Sequence, residues 1–155
     1  MCSPIPPILL ALAFLWAGTS LSSQSIKASL LLNTGGGTPG SDEFTIELAS
    51  DSILRVTKKG LPITSKSKLT ETSISKPLSA QDAERIFSLA KMATDFAQTT
   101  SGSFADGTNA GMCLRIGGKS IKRKCFNEPR WPVGPKTKVL LAEINKHLPQ
   151  QMQVY

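Results

Sequence analysis

Residues that commonly carry catalysis are scarce in this sequence. Histidine and tyrosine each occur once, and only 6% of the residues are aromatic. His147 lies near the end of a predicted helix, and Asp106 has no second carboxylate at a spacing suited to acid–base catalysis. No serine lies in a Gly-x-Ser-x-Gly elbow, and Cys113 and Cys125, twelve positions apart, do not form a metal-ligand set with the distant His147. The sequence therefore predicts no enzyme, no cofactor and no metal site.

Charged side chains are missing from the first 22 residues. Within them, Ile8–Gly18 is an unbroken apolar run of 11 residues, whereas a membrane span needs about 20. The run is typical of a secretory signal peptide, and Ser20 and Ser22 supply small residues before a cleavage after Ser22. No Lys or Arg precedes it, so a buried N-terminal helix or strand is the alternative interpretation. We expect residues 1–22 to be a signal peptide and the protein to be periplasmic or secreted, without a stable membrane span after cleavage.

Export changes the interpretation of the cysteines. Cleavage would remove Cys2 and leave Cys113 and Cys125 in a compartment that permits disulfides. A bond between them would close a short loop and contribute roughly 3 kcal/mol. A two-residue hairpin turn would point the two side chains to opposite faces, although a bulge near the glycines could reset the register. Both outcomes stay open from the sequence alone.

The rest of the chain is predicted to form one α+β domain over residues 44–149, preceded by a lead-in and followed by a short tail at 150–155. Residues 23–43 are rich in Ser, Thr and Gly, which is typical of a flexible segment, although Ser29–Leu32 also suits an early strand. Apolar residues at every second position predict three strands, at about 44–48, 53–57 and 69–75.

Two helices are predicted from apolar residues that recur every three or four positions. The first is capped by Ser79 and extends to about Ala97, and the second follows Pro135 and stops before Pro149. Between them the stretch MCLRIGGKSIKRKCF predicts a hairpin with Gly117 and Gly118 at the turn. The expected fold is an antiparallel sheet of about five strands, ordered β-β-β-α-β-β-α, with both helices packed on one face.

The hairpin carries the strongest functional signal, a cluster of basic residues with no acidic residue among them. With the two-residue turn, apolar side chains fall on one face and most of the basic ones on the other. In one interpretation the cluster has no ligand and is a solvated strand face that discourages pairing with other sheets. In the other it is a surface that binds anions. The candidate residues of the cluster are Arg115, Lys119, Lys122, Arg123 and Lys124.

A second candidate is the linker Asn127–Pro135, which three prolines stiffen. Trp131, beside Arg130, could anchor a partner, or it could fold back over the core.

We expect a non-catalytic binding module whose partner is a protein or an anionic polymer outside the cytoplasm. Nucleic acid is a poor fit because single strands need aromatic platforms, and only Phe126 and Trp131 are near the charges. The alternatives are a small inhibitor of a secreted enzyme that uses the Trp131 loop, and an unrecognised hydrolase.

Three stretches together resemble a loose family of small exported bacterial domains. They are PLSAQDAERIFSLAKMATDF, DGTNAGMCLRIGGKSIKRKCF and LLAEINKHL. The shared pattern is a helix, a loop with Asp-Gly, a hairpin that turns at Gly-Gly followed by a basic residue, and a closing helix. The resemblance extends from Phe44 to Leu148. It implies export and an α+β fold, and it implies no catalytic residue.

Overall fold

The structure is a computed structural model that describes residues 27–36, 41–60, 68–97, 108–128 and 134–154 of the 155-residue chain. The predicted signal peptide lies outside these residues, as do Arg130 and Trp131. Of the helices within them, none has the length and apolar character that crossing a bilayer requires.

Six antiparallel strands form one sheet in the order β4-β3-β2-β1-β5-β6. In chain order they are β1 (Ala28–Gly36), β2 (Asp42–Leu48), β3 (Ile53–Gly60), β4 (Thr70–Pro77), β5 (Thr108–Ile116) and β6 (Lys119–Glu128). The helices are α1 (Ala80–Met92) and α2 (Pro135–Asn145). The predicted α+β class is confirmed. The structure has six strands where about five were expected, and the additional strand precedes the predicted order β-β-β-α-β-β-α.

The additional strand is β1, which lies within the segment expected to be a lead-in. It pairs with β2 on one side and β5 on the other, so it is a central strand of the sheet. Leu30 and Leu32 point to the core and are buried, whereas Leu31 and Asn33 point away and are exposed. Burial of these leucines offsets the cost of ordering a glycine-rich chain.

The core lies between the sheet and the two helices. We call the sheet face that contacts the helices the covered face and the opposite one the open face. Ser79 caps α1 by accepting a hydrogen bond from the Asp82 N–H at 3.0 Å, as the sequence predicts. The largest fully buried side chains come from both layers: Leu30, Leu32, Ile46, Leu48, Leu54, Ile86, Phe96, Leu114, Leu140, Ile144 and Met152.

Residues 150–154, expected as a tail, pack against this core. Met152 and Val154 are buried. The Asn145 side chain fixes the segment, because its Oδ1 accepts from the Val154 N–H at 2.9 Å and its Nδ2 donates to the Val154 carbonyl at 2.8 Å. The end of the described chain is therefore part of the folded layer that covers the sheet.

The predicted register of the β5–β6 hairpin is confirmed. Gly117 and Gly118 form the turn with φ of 54° and 82°, the left-handed values that a type I′ turn requires. Cys113 lies opposite Lys122, and Cys125 lies opposite Ala110 in the same register, which shifts at a bulge only between Ala110 and Thr108. The Cys113 thiol is free, with its Sγ 3.7 Å from the Ser120 Oγ. No disulfide therefore joins Cys113 to Cys125 in this structure, because the two residues face different partners across the ladder.

Candidate ligand-binding site on the open face

The open face near β6 carries three of the predicted basic residues. Along β6, Lys122 and Lys124 point outward at every second position, and Arg115 does the same on β5. All three are exposed. Alternation of side chains along each strand, combined with the glycine turn, places them together.

Arg123 is on the covered face, which corrects its assignment to the exposed basic cluster. It lies opposite the buried Met112, and its guanidinium reaches the end of α1. Its Nη1 donates to the carbonyls of Ala90 and Ala93, each at 2.8 Å, and its Nη2 donates to the Lys91 carbonyl at 2.9 Å. A cation is favourable there because the last carbonyls of a helix carry partial negative charge. Arg123 therefore stabilises the fold and is not available to a ligand on the open face.

Lys119 also departs from the predicted grouping. It directly follows the turn, opposite Ile116, and its position has the same parity as the covered face. It is exposed because it lies at the tip of the hairpin, beyond the helices. The five clustered residues thus divide into three on the open face, one at the tip and one beneath α1.

Sequence reasoning missed Asp95, a charged residue near Arg123. It lies where the end of α1 meets the beginning of α2, a region that we call the corner. Its carboxylate accepts hydrogen bonds from the backbone N–H of Lys136 at 2.7 Å and of Thr137 at 2.9 Å, and from the Thr137 hydroxyl at 2.7 Å. Burial acts to raise the pKa of Asp95, but these hydrogen bonds outweigh it and lower that pKa below its ordinary value of 3.8. The carboxylate thus caps the N-terminus of α2 from outside the helix.

One sequence signal could have revealed this cap. The residue before α2 is Gly134, which has no side chain to accept hydrogen bonds from the first turn of the helix. An external acceptor was therefore required. Gly134 also provides the necessary space, because a Cβ at that position would collide with the Asp95 carboxylate.

A cleft of about 550 Å³ crosses the open face from β3 to β6. A smaller cavity of about 140 Å³ adjoins it along β5 and β6, where it reaches Leu31, Cys113 and Lys122. The groups that give the larger cleft its character are Asn33, Gly35, Glu43, Lys59, Gly111 and Lys124. Charged and polar side chains therefore border the cleft, and one of them, Lys124, belongs to the three exposed cations.

Gly111 forms part of the floor of the cleft, and neither backbone geometry nor packing explains the glycine. Its φ is not in the left-handed range, and a Cβ built on it would meet nothing within 4 Å. Glycine inside a strand is normally unfavourable and often marks a place where a ligand approaches the backbone. Here its effect is to leave an open hollow between Asn33 on β1 and Lys124 on β6, its neighbours on either side.

The two ends of the cleft differ in charge. Lys124 bounds it on β6, and neither Lys124 nor Lys122 forms an ion pair with any residue that the structure describes. Toward the other end, which β3 closes, stands Glu43 on β2, which is likewise outside every ion pair of the described chain. Lys59, its partner across the ladder, instead contacts Glu71 on the edge strand at 3.6 Å.

Known proteins give no family for this chain. No family model matches the sequence, and a search of curated proteins finds no match. The resemblance to small exported bacterial domains therefore stays a prediction. Arg130 and Trp131, the remaining candidates, lie outside the described residues.

Proposed function

We propose that this protein is an exported, non-catalytic binding module that holds an anionic ligand or an acidic protein surface on its open face. One observation carries the proposal. Arg115, Lys122 and Lys124 lie side by side, exposed, and none forms an ion pair within the described part of the chain. Their charges are therefore not neutralised by the described part of the fold.

The spacing of these cations favours joint action on one ligand. Residues two apart on a strand have Cα atoms about 7 Å apart, so Lys122 and Lys124 are spaced within one Debye length of about 8 Å at physiological salt. Arg115 is on the neighbouring strand and extends the same patch. A ligand that carries several negative charges would gain from all three at once.

The competing interpretation is that the lysines only protect an edge. β6 is the last strand of the sheet, and charged residues on an edge strand discourage pairing with other chains. Edge protection, however, requires no cleft and no glycine floor beside the charges. The cleft over Gly111 therefore favours ligand binding.

The alternatives from the sequence have less support. The inhibitor hypothesis depends on Trp131 and its loop, which lie outside the described residues. The hydrolase hypothesis needs a base beside a nucleophile, and the described neighbour of the Cys113 thiol is the Ser120 hydroxyl. Export and the periplasmic or secreted location depend on the signal-peptide prediction.

The test compares two triple variants that each remove three positive charges. The first is Arg115→Ala with Lys122→Ala and Lys124→Ala, and the control is Lys68→Ala with Lys76→Ala and Lys138→Ala. We expect the first to weaken binding to immobilised polyaspartate about tenfold, because three exposed ion pairs at roughly 0.5 kcal/mol each correspond to one factor of ten. We expect the control to lose far less. Equal losses would show that net charge, not the patch, governs binding and would contradict the proposal.

A further inference from the structure

We infer that the cleft over Gly111 binds a peptide segment laid across the strands, with an acidic group at Lys124 and a basic group at Glu43. This inference rests on the proposed function and names its ligand. It depends on the charge at each end of the cleft, the distance between the ends and the open floor between them.

The carboxylate of Glu43 is positioned at the cleft. A Cβ on Gly35 would lie 3.2 Å from its Oε1, so the carboxylate extends over the glycine of the neighbouring strand. Lys59, opposite Glu43, also lines the cleft, but it forms its ion pair with Glu71 on β4, so Glu43 keeps no ion-pair partner among the described residues. The β2 end of the cleft therefore presents an acceptor suited to an ammonium or guanidinium group.

The β6 end presents the opposite charge. Lys124 borders both cavities and lies opposite Gly111, where no intervening side chain separates it from the floor. Lys122 lies one outward position along the same strand, within the smaller cavity. A carboxylate placed beside Lys124 would therefore be shared between two ammonium groups.

The distance between the ends matches an extended peptide. β2 and β6 are three strand intervals apart, which is about 14 Å. Glu43 lies beside Gly35, two residues along the strand from the row of Asn33, Gly111 and Lys124. The two ends are therefore about 16 Å apart along a diagonal, a distance that about five residues of extended chain cover at 3.4 Å per residue. Between the ends, Asn33 points its amide outward beside Gly111, where it can bind peptide N–H and C=O groups.

This arrangement disfavours ligands of uniform charge. A polyanion that crossed the cleft would place negative charge against Glu43, which forms no ion pair with a described residue. Single-stranded nucleic acid would also need aromatic platforms, and the aromatic residue at the cleft, Phe44, has its side chain buried. A peptide carries both signs of charge on one chain, so it is the class that fits both ends.

Four pentapeptides with blocked termini test the inference by NMR titration of the purified, isotope-labelled protein. They share a Ser-Gly-Ser centre and carry Lys and Asp, Asp and Asp, Gln and Asp, or Lys and Gln at their ends. We expect the Lys–Asp peptide to bind about threefold to fivefold more tightly than each of the others. Equal or tighter binding of the Asp–Asp peptide would overturn the inference.

Two variants locate the binding. Gly111→Val fills the hollow from a position where the Cβ meets nothing within 4 Å, so it should abolish the shift changes caused by the Lys–Asp peptide while the melting temperature is kept. Ser75→Val, on the open face at the far edge, is the matched control and should bind as the wild type does. Glu43→Lys should reverse the preference, so that the Asp–Asp peptide binds best.

The outcomes also separate this inference from the proposed function. If no pentapeptide binds but the Arg115, Lys122 and Lys124 triple variant still loses polyaspartate, the basic patch stands and the peptide cleft is wrong. If the triple variant and its control behave alike, the proposed function fails. Unchanged peptide binding in Gly111→Val would place the ligand elsewhere and would likewise overturn the inference.

Discussion

On the covered side of the sheet, the two charged residues at the corner where the helices meet are held by hydrogen bonds within the fold. Two charged residues at the cleft on the open side lack ion-pair partners in the described chain. Arg123 donates three hydrogen bonds to the last carbonyls of α1, and Asp95 accepts three from the first turn of α2. Lys124 and Glu43 bound the cleft, and neither has an ion-pair partner among the described residues.

The contrast shows that residue type does not determine the role of a charge in this protein. Lys122, Arg123 and Lys124 are consecutive, yet the middle one stabilises a helix end and its neighbours face solvent. Arg123 and Asp95 each lie at the helix end of opposite partial charge, which compensates for their desolvation. Arg115, Lys122, Lys124 and Glu43 on the open face form no ion pair within the described fold, so their substitution should affect binding and not stability.

The largest effect on stability should come from Asp95→Asn. The amide would turn a donor toward the Lys136 N–H, so the variant should lose about 2–3 kcal/mol of unfolding free energy at pH 7. Hydrogen bonds lower the pKa of Asp95 against the opposing effect of burial, so the wild type's advantage is complete above pH 3.8, the ordinary pKa. It should disappear as the pH falls through the lowered native pKa. Urea unfolding of both proteins from pH 7 to pH 2.5 measures this difference.

The matched control for Asp95 is Glu43→Gln, a carboxylate-to-amide change on the open face. Its unfolding free energy should stay within about 0.5 kcal/mol of the wild type. If Glu43→Gln were as destabilising as Asp95→Asn, the open-face carboxylate would stabilise the fold as much as the corner carboxylate does. The proposed difference between the two faces would then be wrong.

A somewhat smaller effect should follow from Arg123→Met, which keeps the aliphatic part of the side chain and removes its donors. Three carbonyls at the end of α1 would lose the guanidinium as a donor, at a cost of about 2 kcal/mol, although the Ala93 carbonyl keeps its hydrogen bond from the Phe96 N–H. Arg115→Met makes the same replacement on the open face and should cost less than about 0.5 kcal/mol. Thermal unfolding measures both variants. Equal losses of stability would show that the hydrogen bonds of Arg123 stabilise the fold no more than the exposed Arg115 side chain does.

Much of the open face could be predicted from the sequence because its determinants are local. A Gly-Gly turn fixes the register of the hairpin, and alternation along each strand then decides which side every residue faces. The same parity pairs Arg123 with Met112, so the sequence already contained the evidence against placing Arg123 with its neighbours. Five cations that are close in sequence do not form one surface when strand parity divides them.

The corner and the cleft could not be predicted in the same way. Asp95 meets Lys136 and Thr137 across about 40 positions of chain, and only the packing of the helices brings them together. The cleft needs β1 between β2 and β5, and the glycine-rich composition of residues 23–43 favoured a flexible lead-in over the early strand that Ser29–Leu32 also suits. With the strand in place, Asn33 and Gly111 become neighbours, which no local pattern indicates.

The smallest effect on stability should come from the double variant Lys122→Gln with Lys124→Gln. Both side chains are exposed and without a described partner, so the unfolding free energy should change by less than about 0.5 kcal/mol while polyaspartate binding weakens. Size-exclusion chromatography with light scattering separates the two roles of these lysines. If they protect the edge, their removal lets β6 pair with another copy and the apparent mass rises. An unchanged mass together with weaker binding would assign the open-face lysines to ligand binding. The charges of the covered face would then stabilise the fold, and those of the open face would bind a ligand.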